Sequence, residues 1–551
     1  MAEREASAVA PRMRWWGWGD PAHASALPSG ARGFLAEHVG ELPPARAPVA
    51  LSRVVLEPSA LTARALSTLR PIAGEDGVRD DHGERVLHAA GKGYPDLVRL
   101  REGRPDGAPD AVVSPRDAEQ LRAVIELCSR ESIAVVPFGG GTSVVGGVSP
   151  LRGEHGAVIA LDTVRLDGLV GIDRESRTVT VGGGMRAPAL ERELARHGLT
   201  LGHYPQSFEY VSLGGCAATR SAGQASSGYG AIERMIAGLK LVSPVGEIAL
   251  QPQPASAAGP SLRQLAIGSE GTLGVISELS LRVREAPRER IYEGVFFEDF
   301  AAGVEALRAL AQHGASPDVA RLSDEAETQM SLALAGSGGV KGRLGRLYLG
   351  ARGYADGCLA IFGFEGDERQ APARRARAIE LVRAHGGLPV GRSPGQAWLA
   401  GRFAAPYLRD ELMTLGVMVE TLETATQWSN LRRLHRAVGE AIGRALRDGG
   451  TPGLVMCHVS HLYETGASLY FTLIARQRVE DPLAQWREAK HAASQAIVEH
   501  GGTITHHHAV GRDHAPWLGD EIGATGVRAL RAVKEELDPA GVMNPGKLLA
   551  G

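Results

Sequence analysis

Residues 137–147 read Pro137-Phe138-Gly139-Gly140-Gly141-Thr142-Ser143-Val144-Val145-Gly146-Gly147, directly after the apolar run Ile133-Ala134-Val135-Val136, which has the pattern of a buried strand. Successive glycines clear Cβ atoms from the backbone, so neighbouring N–H groups can converge on one anion, and Thr142 and Ser143 add hydroxyl donors. That shape suits a pyrophosphate. No Gly-Lys-Ser/Thr follows, which excludes a Walker loop, and no GxGxxG opens a helix, which leaves a Rossmann site unsupported. Alone, such a stretch is a turn. It has two companions: Pro205-Gln206-Ser207 with Leu213-Gly214-Gly215-Cys216-Ala217-Ala218-Thr219-Arg220-Ser221-Ala222-Gly223, and Gly268-Ser269-Glu270-Gly271-Thr272-Leu273-Gly274-Val275-Ile276. Small side chains there let a large planar ligand approach the backbone. Three such loops in one domain are hard to explain as turns.

Around these loops the patterns divide the 551 residues into regions, since a chain of that length exceeds one hydrophobic core. Residues 1–105 are Pro/Ala-rich with short helical patterns, and Trp15, Trp16 and Trp18 are expected to pack a small satellite core. Residues 106–286 alternate strand, helix and further strands, which predicts an α+β domain with mixed sheets carrying all three loops. Residues 287–502 predict an antiparallel sheet backed by helices. Residues 503–551 hold a histidine cluster, a long helix and the ending Asn544-Pro545-Gly546-Lys547-Leu548-Leu549.

Composition narrows the function classes. A net charge of −3 gives no field for nucleic acid, and 5% aromatic residues offer no base-stacking surface. The four cysteines lie far apart with no CxxC pair, which fits neither a zinc site nor a disulfide framework and suits a reducing cytosol. The first residues lack the apolar core of a secretory signal, no apolar run is long enough to span a bilayer, and the ending is not a peroxisomal address. A cytoplasmic location is expected.

The second informative stretch is Thr505-His506-His507-His508-Ala509-Val510-Gly511-Arg512. On a strand, three contiguous histidines diverge, and no carboxylate at helical spacing completes a ligand set, so no metal site is expected. Imidazoles near a cofactor could move protons at neutral pH.

The three glycine loops resemble the FAD-contacting loops of the PCMH-type flavoproteins, the superfamily of vanillyl-alcohol oxidase. The resemblance implies an α+β fold: a two-subdomain PCMH-type FAD-binding domain, a second α/β cap domain for the substrate, and a C-terminal helical segment returning to the flavin. It implies that Gly139, Gly140, Gly141, Thr142, Ser143 and Val144 hold the pyrophosphate. Ser207, Gly214, Gly215, Thr219 and Gly223 would line the adenosine and isoalloxazine side, and Val275 and Ile276 would give backbone contacts. Pro137, Pro205, Ser221, Glu270, Gly271 and Thr272 complete the expected cofactor site. The first loop holds no Cys or His, so non-covalent FAD is expected, although a histidine of the second domain could link it.

Further segments resemble the alkyldihydroxyacetonephosphate synthase family: Met13–Pro21 (MRWWGWGDP), Leu100–Pro115, Pro205–Gly215, Ser226–Glu233, Val319–Glu327, Pro406–Trp428, Tyr463–Leu473 and the histidine triplet. That resemblance covers nearly the whole chain. By it, Tyr470 is the catalytic tyrosine, His506, His507 and His508 are catalytic histidines, and Arg409 and Arg321 bind the substrate's phosphate or carboxylate. It implies exchange of the acyl group of 1-acyl-dihydroxyacetone phosphate for a long-chain fatty alcohol, with oxidised FAD acting as an electrophile at N5 and no net redox change. It also implies a homodimer and peripheral membrane contact. The chain departs from the family pattern at Ala509, where glycine is usual, at His458 and His461, and in its NPGKLL ending. That ending is shared with the alternative reading, an FAD-dependent dehydrogenase or oxidase of a D-2-hydroxy acid. A non-catalytic flavin- or lipid-binding protein is the third class.

Overall fold

The computed structural model describes residues 13–20, 27, 31–334 and 340–549. The strand Ile133–Phe138 leads into the first glycine loop and pairs in parallel with Ala157–Asp162, which pairs in parallel with Ala111–Val113. Helix Ala118–Arg130 covers this sheet. Asp117 caps it by accepting the N–H of Gln120, and Leu121, Val124, Ile125 and Cys128, spaced three to four apart, are buried. The expected boundary at residue 106 is corrected by the packing. Val78–Arg79 adds the fourth strand to this sheet, and Leu61, Ala65 and Leu69 enter the same core.

A second sheet of five antiparallel strands follows, in the order Leu169–Asp173, Thr178–Gly182, Val275–Arg282, Ile236–Ser243, Gly246–Leu250. The second and third glycine loops border it. Residues 251–260 form an exposed loop, as their composition suggests.

The cap is built on seven antiparallel strands. Helix Trp428–Asp448 packs on it through Leu431, Leu434, Val438, Ile442 and Leu446. A tyrosine hydroxyl fastens the cofactor domain to the cap: Tyr229 donates to the buried carboxylate of Glu365 at 2.5 Å, and Tyr292 of the cap donates to the same carboxylate at 2.6 Å. After helix Leu518–Leu537 the chain returns to the first sheet, where Met543 bridges Val135 and Lys534 donates to the carbonyl of Thr272.

The tryptophan cluster divides. Trp15 packs on a satellite core with Val54, Val86 and Leu100, as expected, but Trp18 lies edge-on to Tyr210 and reaches the central cavity. Among the described residues no helix is long and apolar enough to cross a membrane.

Candidate active site

One cavity of about 470 Å³ lies between the cofactor domain and the cap. Every residue of the expected cofactor site lines it except Thr272, which is fully buried and donates its hydroxyl to the carbonyl of Ser269. Gly141 sits at φ +67°, and a Cβ there would enter the ring of Phe138. A Cβ on Gly214 would press on the carbonyl of Gly183. Among the described residues, the N–H groups of Gly140, Gly141, Thr142 and Ser143 have no acceptor, so this cradle still has donors for an anion.

The opposite wall is a row across the cap sheet. Strand pairing sets Glu423 directly opposite Tyr470, Tyr470 opposite His458, and His458 opposite Ser323. Residues directly opposite share a face, and period-two alternation then puts Tyr470, Thr472 and Ile474 on the cavity while Leu469, Phe471 and Leu473 enter the cap core. His458 stacks on Tyr470 with ring centroids 4.9 Å apart, and its Nδ1 bonds Glu327 at 3.0 Å. Arg321 donates to the same Glu327 oxygen at 2.9 Å, so part of its charge is already answered within the protein.

Arg409 differs. Its Nη1 donates to the carbonyl of Lys92 at 2.7 Å, but its Nε and Nη2 are buried without a partner beside the cavity. An unpartnered buried guanidinium fork is a ready site for phosphate or carboxylate. Lys92 also lines the cavity, and burial pulls its ammonium down to about 8.

The histidine triplet lies in a curled loop, not on the expected strand. The cause is Glu423, whose carboxylate collects the backbone N–H groups of His506, His507 (2.9 Å) and His508 (2.6 Å) and the hydroxyl of Thr505 (2.8 Å). Successive N–H groups of a strand point to opposite sides and could not meet one carboxylate. Burial opposes ionisation of Glu423, but the adjoining histidines and the N–H of His507 hold its carboxyl well below the usual range. Further along the loop, Glu270 accepts from Val510 and Gly511 at 2.8 and 2.7 Å. Glu270 therefore lines the cavity and also ties down the histidine loop.

His507 and His508 line the cavity; His506 does not. The curl brings Nδ1 of His506 within 2.9 Å of Nδ1 of His507, and one ring nitrogen each of His461, His506 and His507 lies within 4.8 Å of the others. That spacing would admit a metal ion, but His461 is committed at both nitrogens, to the carbonyl of Gly223 at 3.0 Å and to Ser468 at 3.2 Å. Burial lowers His506 and His507 to about 4 and moves His508 in the same direction, so all three are neutral at pH 7. Burial raises Tyr470 to about 12, keeping it a phenol.

The cavity's third sector is apolar. Phe34 and Leu35 of the N-terminal helix Ala31–Val39 face Met330, Leu408 and Leu412 of the cap. Sequence reasoning missed Lys92, Glu327 and Glu423. Two buried acids in the strand Val417–Gln427 were the available signal for Glu423.

A backbone cradle facing a row of titratable side chains defines a PCMH-type flavoprotein, and the comparisons agree. Residues 109–250 match the model of an FAD binding domain, and residues 286–548 match that of the C-terminal domain of FAD linked oxidases. The chain is 32% identical to the alkyldihydroxyacetonephosphate synthase of Dictyostelium discoideum over 86% of its own length and 79% of that protein. It is 33% identical to the enzyme of that name from Trypanosoma brucei brucei, over 87% and 80%. A solved alkyldihydroxyacetonephosphate synthase structure superposes with a TM-score of 0.84 at 28% identity, covering 97% of this chain and 98% of that one. The chain belongs to the alkyldihydroxyacetonephosphate synthase family, and its cofactor is FAD.

Proposed function

We propose that this enzyme exchanges the acyl group of 1-acyl-dihydroxyacetone phosphate for a long-chain fatty alcohol, forming the ether bond of an alkyl lipid precursor. The observation that carries this reading is the joining, in one cavity, of the glycine cradle, the unpartnered Arg409 and an apolar arm. A redox enzyme for small hydroxy acids needs no such arm. When bound, FAD supplies an oxidised ring that serves as an electrophile. Gly139 to Val144 would hold its pyrophosphate, and Gly214, Gly215 and Gly223 would give its planar part close access to the backbone.

Arg409 takes the anionic headgroup, with Lys92 beside it and Arg321 partly neutralised by Glu327. Neutral His507 or His508 accepts the C1 proton next to the ketone. Tyr470, held as a phenol, donates to the developing or leaving oxygen. The bond between C1 and the acyloxy oxygen breaks to release the fatty carboxylate, and the alcohol oxygen, after losing its proton, forms the new bond to C1.

Two further parts of the reading concern assembly. Leu344, Leu347 and Tyr348 stand exposed on helix Val340–Ala351, a short distance along the chain from Met330 in the cavity wall. We assign this helix to peripheral membrane contact, which vesicle flotation tests. The four buried, unpaired cysteines suit a cytoplasmic enzyme. A homodimer, the state implied by the resemblance, is tested by light scattering, and non-covalent FAD by its release on acid precipitation.

The deciding assay follows labelled fatty alcohol into alkyl-dihydroxyacetone phosphate, with a hydroxy-acid panel as control under anaerobic conditions. Ether product without flavin bleaching supports the reading. Stoichiometric bleaching by a D-2-hydroxy acid, without ether product, overturns it.

A further inference from the structure

His506 shares the loop of its two neighbours, yet it does not line the cavity, and both its ring nitrogens are in use. Its Nδ1 faces Nδ1 of His507 at 2.9 Å, and its Nε2 meets the hydroxyl of Tyr463 at 2.6 Å. His507 lines the cavity, and Tyr463 stands at the tip of the hairpin joining strands Gly453–Leu462 and Gly466–Arg476, followed by the exposed Glu464 and Thr465. The three groups therefore form one hydrogen-bonded file from the cavity wall to the half-buried Tyr463 beside the exposed hairpin tip.

We propose that His507, His506 and Tyr463 are a proton wire connecting C1 of the substrate with solvent. The proposal rests on the functional reading above. Two nitrogens that face each other share one proton, so the file has two arrangements. In one, Tyr463 donates to His506 Nε2, His506 Nδ1–H donates to His507 Nδ1, and His507 Nε2 carries a proton. In the other, every donor and acceptor is reversed, and His507 Nε2 offers a lone pair to the cavity.

Starting from the second arrangement, the C1–H bond breaks and its electron pair stays on the ketone as the enolate. His507 Nε2 takes the proton, His507 Nδ1 passes its own to His506 Nδ1, and His506 Nε2 passes its own to the Tyr463 oxygen. The Tyr463 hydroxyl proton goes to water. Return of a proton to C1 runs the file backwards and restores it. Each ring gains one proton and gives up one, so no imidazolium is left in a site where burial disfavours it. Glu423 keeps the file aligned by holding the backbone of both histidines, which makes it a positioning residue.

The test is carried out on FAD-loaded full-length enzyme incubated with acyl-dihydroxyacetone phosphate in D2O, without alcohol, reading deuterium at C1 by mass spectrometry. Wild type exchanges C1 hydrogen for deuterium. Tyr463→Phe keeps the ring and the backbone carbonyl that accepts from Trp428, but cannot relay, and its exchange should fall at least tenfold with KM for the substrate within about twofold. Tyr463→His, which can accept and donate, should recover most of the rate. Exchange in Tyr463→Phe equal to wild type overturns the wire. A loss that Tyr463→His does not restore also overturns it, because Tyr463 is then only structural. Wild type that exchanges no C1 hydrogen overturns the functional reading and the wire with it.

Discussion

The two walls of the cavity are built on different principles. The cofactor wall is mostly backbone: glycines and small residues that expose N–H groups and clear space, with Glu270 the one buried acid among them. The cap wall is side chains, in a row whose ionisation states are set by burial and by each other. On the proposed reading, the first wall holds FAD and the second carries out the chemistry once it is held. Damage to the two should therefore separate into loss of cofactor and loss of turnover.

Tyr470→Phe gives the largest expected effect on the cap side. Removing one general acid should lower kcat by about 10²–10⁴ while FAD content per protomer, read from the flavin absorbance, stays at the wild-type value. Full turnover would remove Tyr470 from the chemistry. Gly141→Ala is the converse. A side chain at φ +67° whose Cβ enters the Phe138 ring adds strain of about 1–3 kcal/mol, so FAD should bind about 10–100-fold more weakly. Activity should return at saturating FAD; a kcat that stays low would blur the division between the walls.

The division was partly legible in the sequence, for a physical reason. A glycine cradle is a local property of consecutive residues, so the three loops could be read without knowing the fold. The row Glu423–Tyr470–His458 depends on the register of three strands from distant parts of the chain, and alternation alone does not say which face meets the cavity. The histidine triplet was found but placed on a strand, because the acid that curls it lies 83 residues away from His506. Likewise His458 and His461 stood out only as departures from a family pattern, and Lys92 gave no signal at all. The first sheet begins earlier than expected because Val78–Arg79 is too short a strand to show periodicity.

Two carboxylates hold the histidine loop, Glu270 on the cofactor wall and Glu423 behind the cap wall, and they offer a finer test. Glu423→Gln keeps one oxygen for the donors of Thr505, His507 and His508 but sets an amide N–H₂ against the N–H of His506. At about 1–3 kcal/mol for a buried donor left unmet, kcat should fall about 10–100-fold, with FAD retained. Burial already raises Glu270 to about 7, despite its bonds to Val510 and Gly511, so Glu270→Gln should cost less than tenfold at neutral pH. Their pH signatures run in opposite directions. His506 and His507 sit near 4 instead of 6.5, so the unfolded chain binds protons first and stability falls as pH drops from about 6.5 to 4. Glu270, raised from 4.5, holds its proton in the fold, and its contribution is lost as pH rises through 7. Thermal midpoints of wild type and Glu270→Gln across pH 4–8 separate the two; coincident curves would deny Glu270 its part.

The smallest effect lies at Ala509, where the loop passes from the Glu423 anchor to the Glu270 anchor. Its φ of +75° is a region that glycine enters freely and alanine enters at a cost of about 1–2 kcal/mol. The two anchors impose that conformation, because His508 must present its N–H to the cap while Val510 presents its own to the cofactor domain. Ala509→Gly relieves the strain in the folded state but frees the unfolded chain, which offsets about 0.5–1 kcal/mol of the gain. The net should be a stabilisation of under about 1 kcal/mol, read as a small rise in thermal midpoint with kcat within about twofold. A fall in the midpoint would mean that the loop is held less firmly at its two ends than the paired carboxylates indicate. A rise accompanied by a drop in kcat would mean that the strain itself aims His507 and His508 at the substrate.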